Sequence, residues 1–381
     1  MEKGVYMKGS IIIGGGILGA SAAYHLAKAG QKVTLIDRKD PGQATDAAAG
    51  IICPWLSQRR NKAWYALAKG GAAYYPSLIE ELKRDGETET GYERVGAVSL
   101  HTETGKLEKM EERAIKRRED APEIGEIRQL TEEETSAMFP PLSKEYASVY
   151  VSGAARVNGR ALRQALLRAA KRHGARFIHG SAELERSNGE ATGVRVGEDR
   201  YEADYILLTA GAWAGELLSP LGVAFQVTSQ KAQIAHLQLE KEETDHWPVV
   251  MPPTDQYILA FDQGRVVIGA THEDNMDFNT RVTAGGMHEV FDKALAVAPD
   301  LADGTFVEAR VGFRPFTPGF LPVIGQVPGY DSLLLANGLG ASGLTVGPFL
   351  GAQLAKMVLA EPLDIDLDLY KVAKAMIKEE E

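Results

Sequence analysis

A short run of β-branched residues, Ile11-Ile12-Ile13, leads straight into Gly14-Gly15-Gly16-Ile17-Leu18-Gly19 and then into a helical pattern that stops at Gly30. This order constrains the fold more than any other feature of the chain. A buried strand, a glycine turn and a helix make the first half of a βαβ unit, and the next strand, Lys32 to Ile36, ends at Asp37. Glycines at 14, 16 and 19 permit the tight turn, the close approach of a pyrophosphate and close helix–sheet packing, while the helix N-terminus faces the phosphates. Ala20, Ala23 and Ala27 on the inward face let that helix lie close on a sheet. Such a turn alone is a weak signal. Between a strand and a helix, with a carboxylate about 20 residues on to take the ribose hydroxyls, it predicts a dinucleotide site. Asp37 disfavours a 2′-phosphate and so argues against NADP. The turn leaves NAD and FAD both open.

At 381 residues the chain is too long for one ordinary core and suits two interleaved lobes. An α/β pattern returns near 159–213, with an amphipathic helix from Arg160 to His173, a strand at Arg176–His179, a hairpin-like stretch and a strand over Tyr205–Thr209. Residues 61–145 read as helical and charge-rich, the run from Glu111 to Glu119 being a solvated helix face. From 216 to 308 the pattern is strand-rich (Gln233–Gln238, Tyr257–Phe261, Val266–Ala270), with one helix near 285–297. The last part carries glycine-rich loops, a strand at Leu333–Ala336, a helix from about Phe349 to Leu359 and a frayed polar tail, Lys378 to Glu381.

The fold class expected is α/β: a Rossmann-type dinucleotide-binding domain (FAD-binding, on the segments that follow) of residues 7–60, 146–215 and 309–381, with an inserted antiparallel-sheet α+β substrate domain of residues 61–145 and 216–308. A formal net charge of −10 argues against nucleic acid as partner, and an anionic substrate needs a local cation against that field. A single cysteine, Cys53, excludes a disulfide framework and a zinc ribbon; it reads as a small buried hydrophobe. With no apolar run of 18 residues, no membrane span is expected, and a cytoplasmic location follows as an expectation. No metal site is expected. The chain is compatible with a homo-oligomer.

Other segments separate FAD from NAD. Pro41-Gly42-Gln43-Ala44-Thr45-Asp46-Ala47-Ala48-Ala49-Gly50-Ile51 is a run of tiny residues through which backbone can approach a large planar ligand; it reads equally as an Ala-rich helix start. Thr209-Ala210-Gly211-Ala212-Trp213 follows a strand. Near the far end come Gly312-Phe313-Arg314-Pro315 and Asn337-Gly338-Leu339-Gly340-Ala341-Ser342-Gly343-Leu344-Thr345. With the glycine turn and Asp37, these segments make the chain resemble, over nearly its whole length, the D-amino-acid oxidase superfamily of flavoproteins. That superfamily includes glycine oxidase, sarcosine oxidase and D-amino-acid dehydrogenase; the resemblance is strongest to the glycine oxidase branch.

The resemblance implies a flavin lined by Gly14, Gly16, Ile17, Leu18, Gly19, Asp37, Arg38, Ala44, Thr45, Ala49, Gly50, Ile51, Gly211 and Trp213. It implies backbone near Glu183 at the adenine, and Leu339, Gly340, Ala341, Ser342, Gly343, Leu344 and Thr345 along the isoalloxazine. A helix N-terminus just after that loop would put partial positive charge beside the ring edge. Arg314 matches the arginine that takes the substrate carboxylate in glycine-oxidase-like enzymes, a task that suits a guanidinium fork; alternatively it makes a structural ion pair. Tyr257 matches a tyrosine that helps hold that carboxylate, or is a half-buried strand aromatic. His272 either lines the pocket or is an ordinary strand-end histidine.

The chain also departs from the family pattern. Ala341 stands where glycine oxidase would carry a second carboxylate-contacting arginine, which puts glycine itself in doubt. Ser229-Gln230-Lys231-Ala232-Gln233 replaces Pro-x-Lys/Arg-Gly-Gln, and Thr317-Pro318-Gly319-Phe320 lacks the usual aspartate. With no cysteine near the Gly312–Pro315 element, FAD is expected to be non-covalent.

The resemblance implies hydride transfer from Cα to the flavin, giving an imine and then a 2-oxo acid. No protein acid–base pair is needed, because the cofactor carries the difficult chemistry. The substrate is a glycine, D-amino acid or N-methyl amino acid, and the acceptor is oxygen with hydrogen peroxide as product. The rivals are a dehydrogenase serving a quinone or a protein acceptor, a secondary-amine oxidase acting on sarcosine or a proline-like substrate, and a flavin-holding module whose catalysis has decayed.

Overall fold

The computed structural model describes residues 9–187, 189–240, 243–274 and 277–377. The expected polar tail over 378–381, and residues 7 and 8 of the first expected domain segment, lie outside these.

The isoleucine run forms the buried strand Ser10–Ile13 at the centre of a six-stranded sheet. Val33–Asp37 and Tyr205–Leu208 flank it in parallel, Ile12 lying opposite Leu35 and Leu207. Arg176–His179 extends one side in parallel and Tyr330–Asn337 the other, where Val323–Val327 closes an antiparallel edge. Strands covered on both faces read as continuous apolar runs, as Ser10–Ile13 and Tyr205–Leu208 do.

Helix Ile17–Lys28 packs between helices Gly159–Arg172 and Gly343–Val358. Two glycines make the entry to it feasible. Gly14 has φ +104°, and a Cβ there would lie 2.5 Å from the Thr209 carbonyl oxygen; at Gly19 a Cβ would collide with the Gly14 carbonyl. The mixed α/β class and the parallel dinucleotide-type sheet are those read from the sequence.

A second, nine-stranded sheet stands beside the first. Its order is Glu273–Asp274, Thr228–Gln238, Arg265–Gly269, Tyr257–Ala260, Val249–Met251, Ala97–His101, Ala147–Val151, Ile127–Leu130; the long strand Thr305–Phe316 also pairs with Thr228–Gln238. Its ladders are antiparallel except between Val249–Met251 and Ala97–His101. A small three-stranded sheet of Ala182–Ser187, Glu190–Val196 and Asp199–Glu202 takes the place of the hairpin-like stretch.

Three features differ from the sequence reading. Segment 61–145 holds strands Ala97–His101 and Ile127–Leu130 as well as its helices. Both strands are short, and Arg128 and Gln129 leave the second almost no periodicity, so their state is decided by pairing partners far along the chain. Ala147–Val151 and residues 309–316 pair within the second sheet, not with the dinucleotide sheet to which their segments were assigned. Helix Gly343–Val358 starts at Gly343, ahead of the expected Phe349. Gly347 and Pro348 read locally as loop, but every residue from Leu344 to Ala355 is buried there, and tertiary packing overrides propensity. Among the described residues no helix is long and apolar enough to cross a membrane.

Candidate active site

A continuous cavity of about 760 Å³ runs along the carboxyl ends of the dinucleotide-sheet strands and under the second sheet. Its dinucleotide end is built by the glycine turn. Helix Ile17–Lys28 is capped by Gly16, with no capping side chain of its own and no acid in its first turn. Its positive end therefore faces the cavity uncompensated, as an anion site requires. The Ile17 N–H donates to the Thr45 hydroxyl at 3.0 Å, which ties the small-residue run to this turn.

Asp37 ends its strand at the cavity wall. Its carboxylate accepts from the Gly15 and Lys39 N–H groups and from the Gln43 amide at 3.0 Å. Arg38 forks onto Glu216 with both contacts at 3.0 Å and also pairs with Asp40; the Glu216 bond, first, holds its guanidinium well above the ordinary range. Glu183 lines the same end and pairs with Arg195.

Ala44, Thr45, Ala49, Gly50 and Ile51 form one wall, with Cys53 beyond them, and Gly211 and Trp213 form another. Trp213 stacks on Phe278 at 4.7 Å between centroids and meets Phe313 edge-on at 6.3 Å. Burial pushes the Cys53 thiol up to about 12, so it stays a neutral, unreactive group.

Leu339, Gly340, Ala341 and Ser342 form the loop across the cavity, and Gly343, Leu344 and Thr345 are the first turn of the following helix. The Thr345 hydroxyl donates to the Ile51 carbonyl at 2.9 Å, joining this loop to the small-residue wall. No acid lies in that helix's first turn, so a second helix dipole aims its positive end into the cavity.

Arg314, Tyr257 and His272 converge at the opposite end. Arg314 projects from Thr305–Phe316 directly across from Gln230, whose side-chain oxygen accepts from its guanidinium at 3.1 Å; among the described residues no carboxylate pairs with it. Burial raises the Tyr257 phenol and the neighbouring Arg314 charge pulls it back; the net direction is up. His272 Nδ1 lies 3.4 Å from Asp255. Burial, then the Arg314 charge, hold its imidazole below the ordinary value against the pull of Asp255, so it is neutral around neutral pH.

Of the residues singled out from the sequence, Gly19 alone does not line the cavity; it acts through packing. The sequence reading missed Trp64, Asp255 and Gln230. Trp64 follows the cap Asn61, which accepts its backbone N–H at 3.0 Å, and Asn61 was a readable helix start. Gln230 carries no local signal: it matters because register sets it beside Arg314. Among the described residues no His, Cys, Asp and Glu group could hold a metal ion.

FAD suits these walls. A bare glycine turn and helix end suit a pyrophosphate, a carboxylate ends the second strand, and a loop of small residues with a positive helix end suits the edge of a flat, electron-accepting ring. A family model described as FAD dependent oxidoreductase matches residues 10–357. The chain is 63% identical over 371 residues to the uncharacterized oxidoreductase YurR of Bacillus subtilis, covering 97% of this chain and all of that protein. It is 30% identical to the glycine oxidase of Pseudomonas aeruginosa over 368 residues, 95% of this chain and 98% of that one. Among solved structures, iminodiacetate oxidase from Chelativorans sp. BNC1 superposes with a TM-score of 0.93 at 47% identity, covering 95% of this chain and 98% of that chain.

Proposed function

The chain belongs to the FAD-dependent oxidoreductase family, and from that premise we propose that it oxidises the Cα–N bond of a small amino acid docked by its carboxylate on Arg314. The products are a 2-oxo acid and ammonia or an amine, with oxygen as acceptor and hydrogen peroxide formed from it. An N-substituted or D-amino acid is favoured over glycine. The observation that carries this reading is an arginine with no carboxylate partner among the described residues, set beside a half-buried tyrosine at one end of the cavity.

When bound, FAD supplies a two-electron acceptor for the hydride of Cα–H. The residues of the chain place that hydrogen. The Arg314 fork takes both carboxylate oxygens, and Tyr257, kept a phenol by burial, donates to the same group. Neutral His272 adds shape without a second charge. The positive end of helix Gly343–Val358 favours negative charge accumulating at the cofactor's edge. No proton-transferring pair is required of the protein, because the amine reacts in its neutral form and water completes the hydrolysis.

The one cysteine of the chain is a buried neutral thiol, which supports a flavin held without a covalent bond. The purified protein should be yellow, and acid precipitation should release all of its flavin as intact FAD; flavin retained in the pellet would show a covalent link.

Substrate choice turns on Ala341, which offers a methyl group at the exposed side of the cavity where a second arginine would grip glycine. One missing charge-assisted hydrogen bond costs about 1.5–3 kcal/mol, and a hydrophobic contact to a larger substrate offsets part of it. Peroxide-coupled kcat/KM values for glycine, sarcosine, D-alanine and D-proline test this. Glycine should rank below the best of the others by about tenfold or more. Glycine ranking first would refute the argument from Ala341, and turnover with a quinone but no peroxide would refute oxygen as acceptor.

A further inference from the structure

One cation behind the cavity wall, that of Arg59, has no carboxylate partner among the described residues. Arg59 lies in the loop between strand Ile51–Ile52 and helix Lys62–Arg84. Its guanidinium sits over the Trp64 ring, 4.7 Å from the centroid, and donates to the Phe320 carbonyl. Trp64 lines the cavity, and its indole N–H donates to the Ser342 hydroxyl at 3.0 Å, next to exposed Ala341.

Several inward arginines are neutralised by acids: Arg38 by Glu216 and Asp40, Arg156 by Glu93 and Asp262, and Arg163 by Asp46; Arg113 and Arg117 are held by backbone carbonyls behind the loop, away from the cavity lining. Among the described residues Arg59 has no acid, and burial alone lowers its affinity for its proton. A guanidinium carries five N–H donors, and one carbonyl leaves most of them unsatisfied. The loop is held from behind: Arg117 donates to the Trp55 and Ser57 carbonyls, the latter at 2.8 Å. A cation on an anchored loop, stacked on an aromatic wall of the cavity, is prepared for an anion.

We infer that Arg59, stacked on the cavity-lining Trp64, binds a second carboxylate, so that the preferred substrate is a secondary amine with a carboxylate on each side of its nitrogen. The inference rests on the reading above that Arg314 takes the first carboxylate. The amine then lies between the two arginines. Ala341 leaves room for the second arm, which runs out past Ser342 toward Trp64. The competing account is that Arg59 only clamps the Phe320 carbonyl to hold the loop.

Sarcosine and iminodiacetate separate the two accounts, since they differ by one carboxylate on the nitrogen substituent. The parent should favour iminodiacetate, and Arg59→Met should lower kcat/KM for iminodiacetate about tenfold or more beyond any effect on sarcosine, chiefly through KM. Arg59→Lys should recover part of the loss. FAD absorbance and thermal melting of each variant report whether the loop still folds. An equal change on both substrates, or none on either, overturns the role of Arg59. If Arg314→Ala is silent as well, or the parent oxidises neither compound, the parent reading has failed and this inference falls with it; a damaging Arg314→Ala with a silent Arg59→Met refutes the second carboxylate alone.

Discussion

Arg314→Ala is expected to lower kcat/KM on a carboxylate-bearing amine by at least about 30-fold while FAD content stays that of the parent. Truncating one partner of a buried, hydrogen-bonded charge pair costs about 2–5 kcal/mol, because the other charge is left without its counter-ion. The loss should be confined to substrate handling. Arg314 stands on Thr305–Phe316 in the second sheet, away from the glycine turn and the strand ends that face the dinucleotide. Arg314→Lys keeps the charge and loses the fork, so it should fall between the two. Steady-state kinetics beside flavin absorbance decide it. Equal kinetics for variant and parent would remove Arg314 from the site, and loss of FAD from the variant would show that its role is structural.

Gly19→Ala is expected to yield protein without FAD. A methyl group there would be driven into the Gly14 carbonyl and lie 2.5 Å from the Thr209 hydroxyl, and neither neighbour can retreat. Gly14 is fixed by its N–H bond to the Ile36 carbonyl at 2.9 Å, and the Thr209 hydroxyl donates to the Gly14 carbonyl at 2.8 Å. Overpacking of this kind costs about 1–3 kcal/mol or more, and the displaced turn is the same backbone proposed to face the pyrophosphate. Thr45→Val gives a milder comparison, removing only the hydroxyl that accepts the Ile17 N–H. Flavin-to-protein ratio and thermal melting separate a lost cofactor from a lost fold; a Gly19→Ala protein with full FAD content would contradict the packing argument.

These two residues mark where the sequence was legible. The glycine turn, Asp37 and the small-residue run carry their meaning locally, because a tight turn and a close backbone approach restrict residue type position by position. Arg314 and Tyr257 were legible only through family resemblance, since a lone arginine or a strand tyrosine has ordinary structural uses. Strands Ala97–His101 and Ile127–Leu130 and the true start of helix Gly343–Val358 were hidden for a different reason. Their states depend on partners remote in sequence: Ala97 pairs with Val249 and Val151, and Gly71 meets the Thr345 carbonyl where two helices touch. The same remoteness hid Gln230, which braces Arg314 by cross-strand register, and Trp64, which reaches Ser342 across the cavity.

In the function proposed above, bound FAD is reduced by an amine held through its carboxylate. Anaerobic titration of the yellow protein with sarcosine and iminodiacetate, and with the corresponding amides, tests it most directly. Arg314 and Tyr257 predict that a carboxylate compound bleaches the flavin and that its uncharged amide does so at least about tenfold more weakly. Bleaching by amide and acid alike, or by neither these acids nor any D-amino acid, would contradict the account.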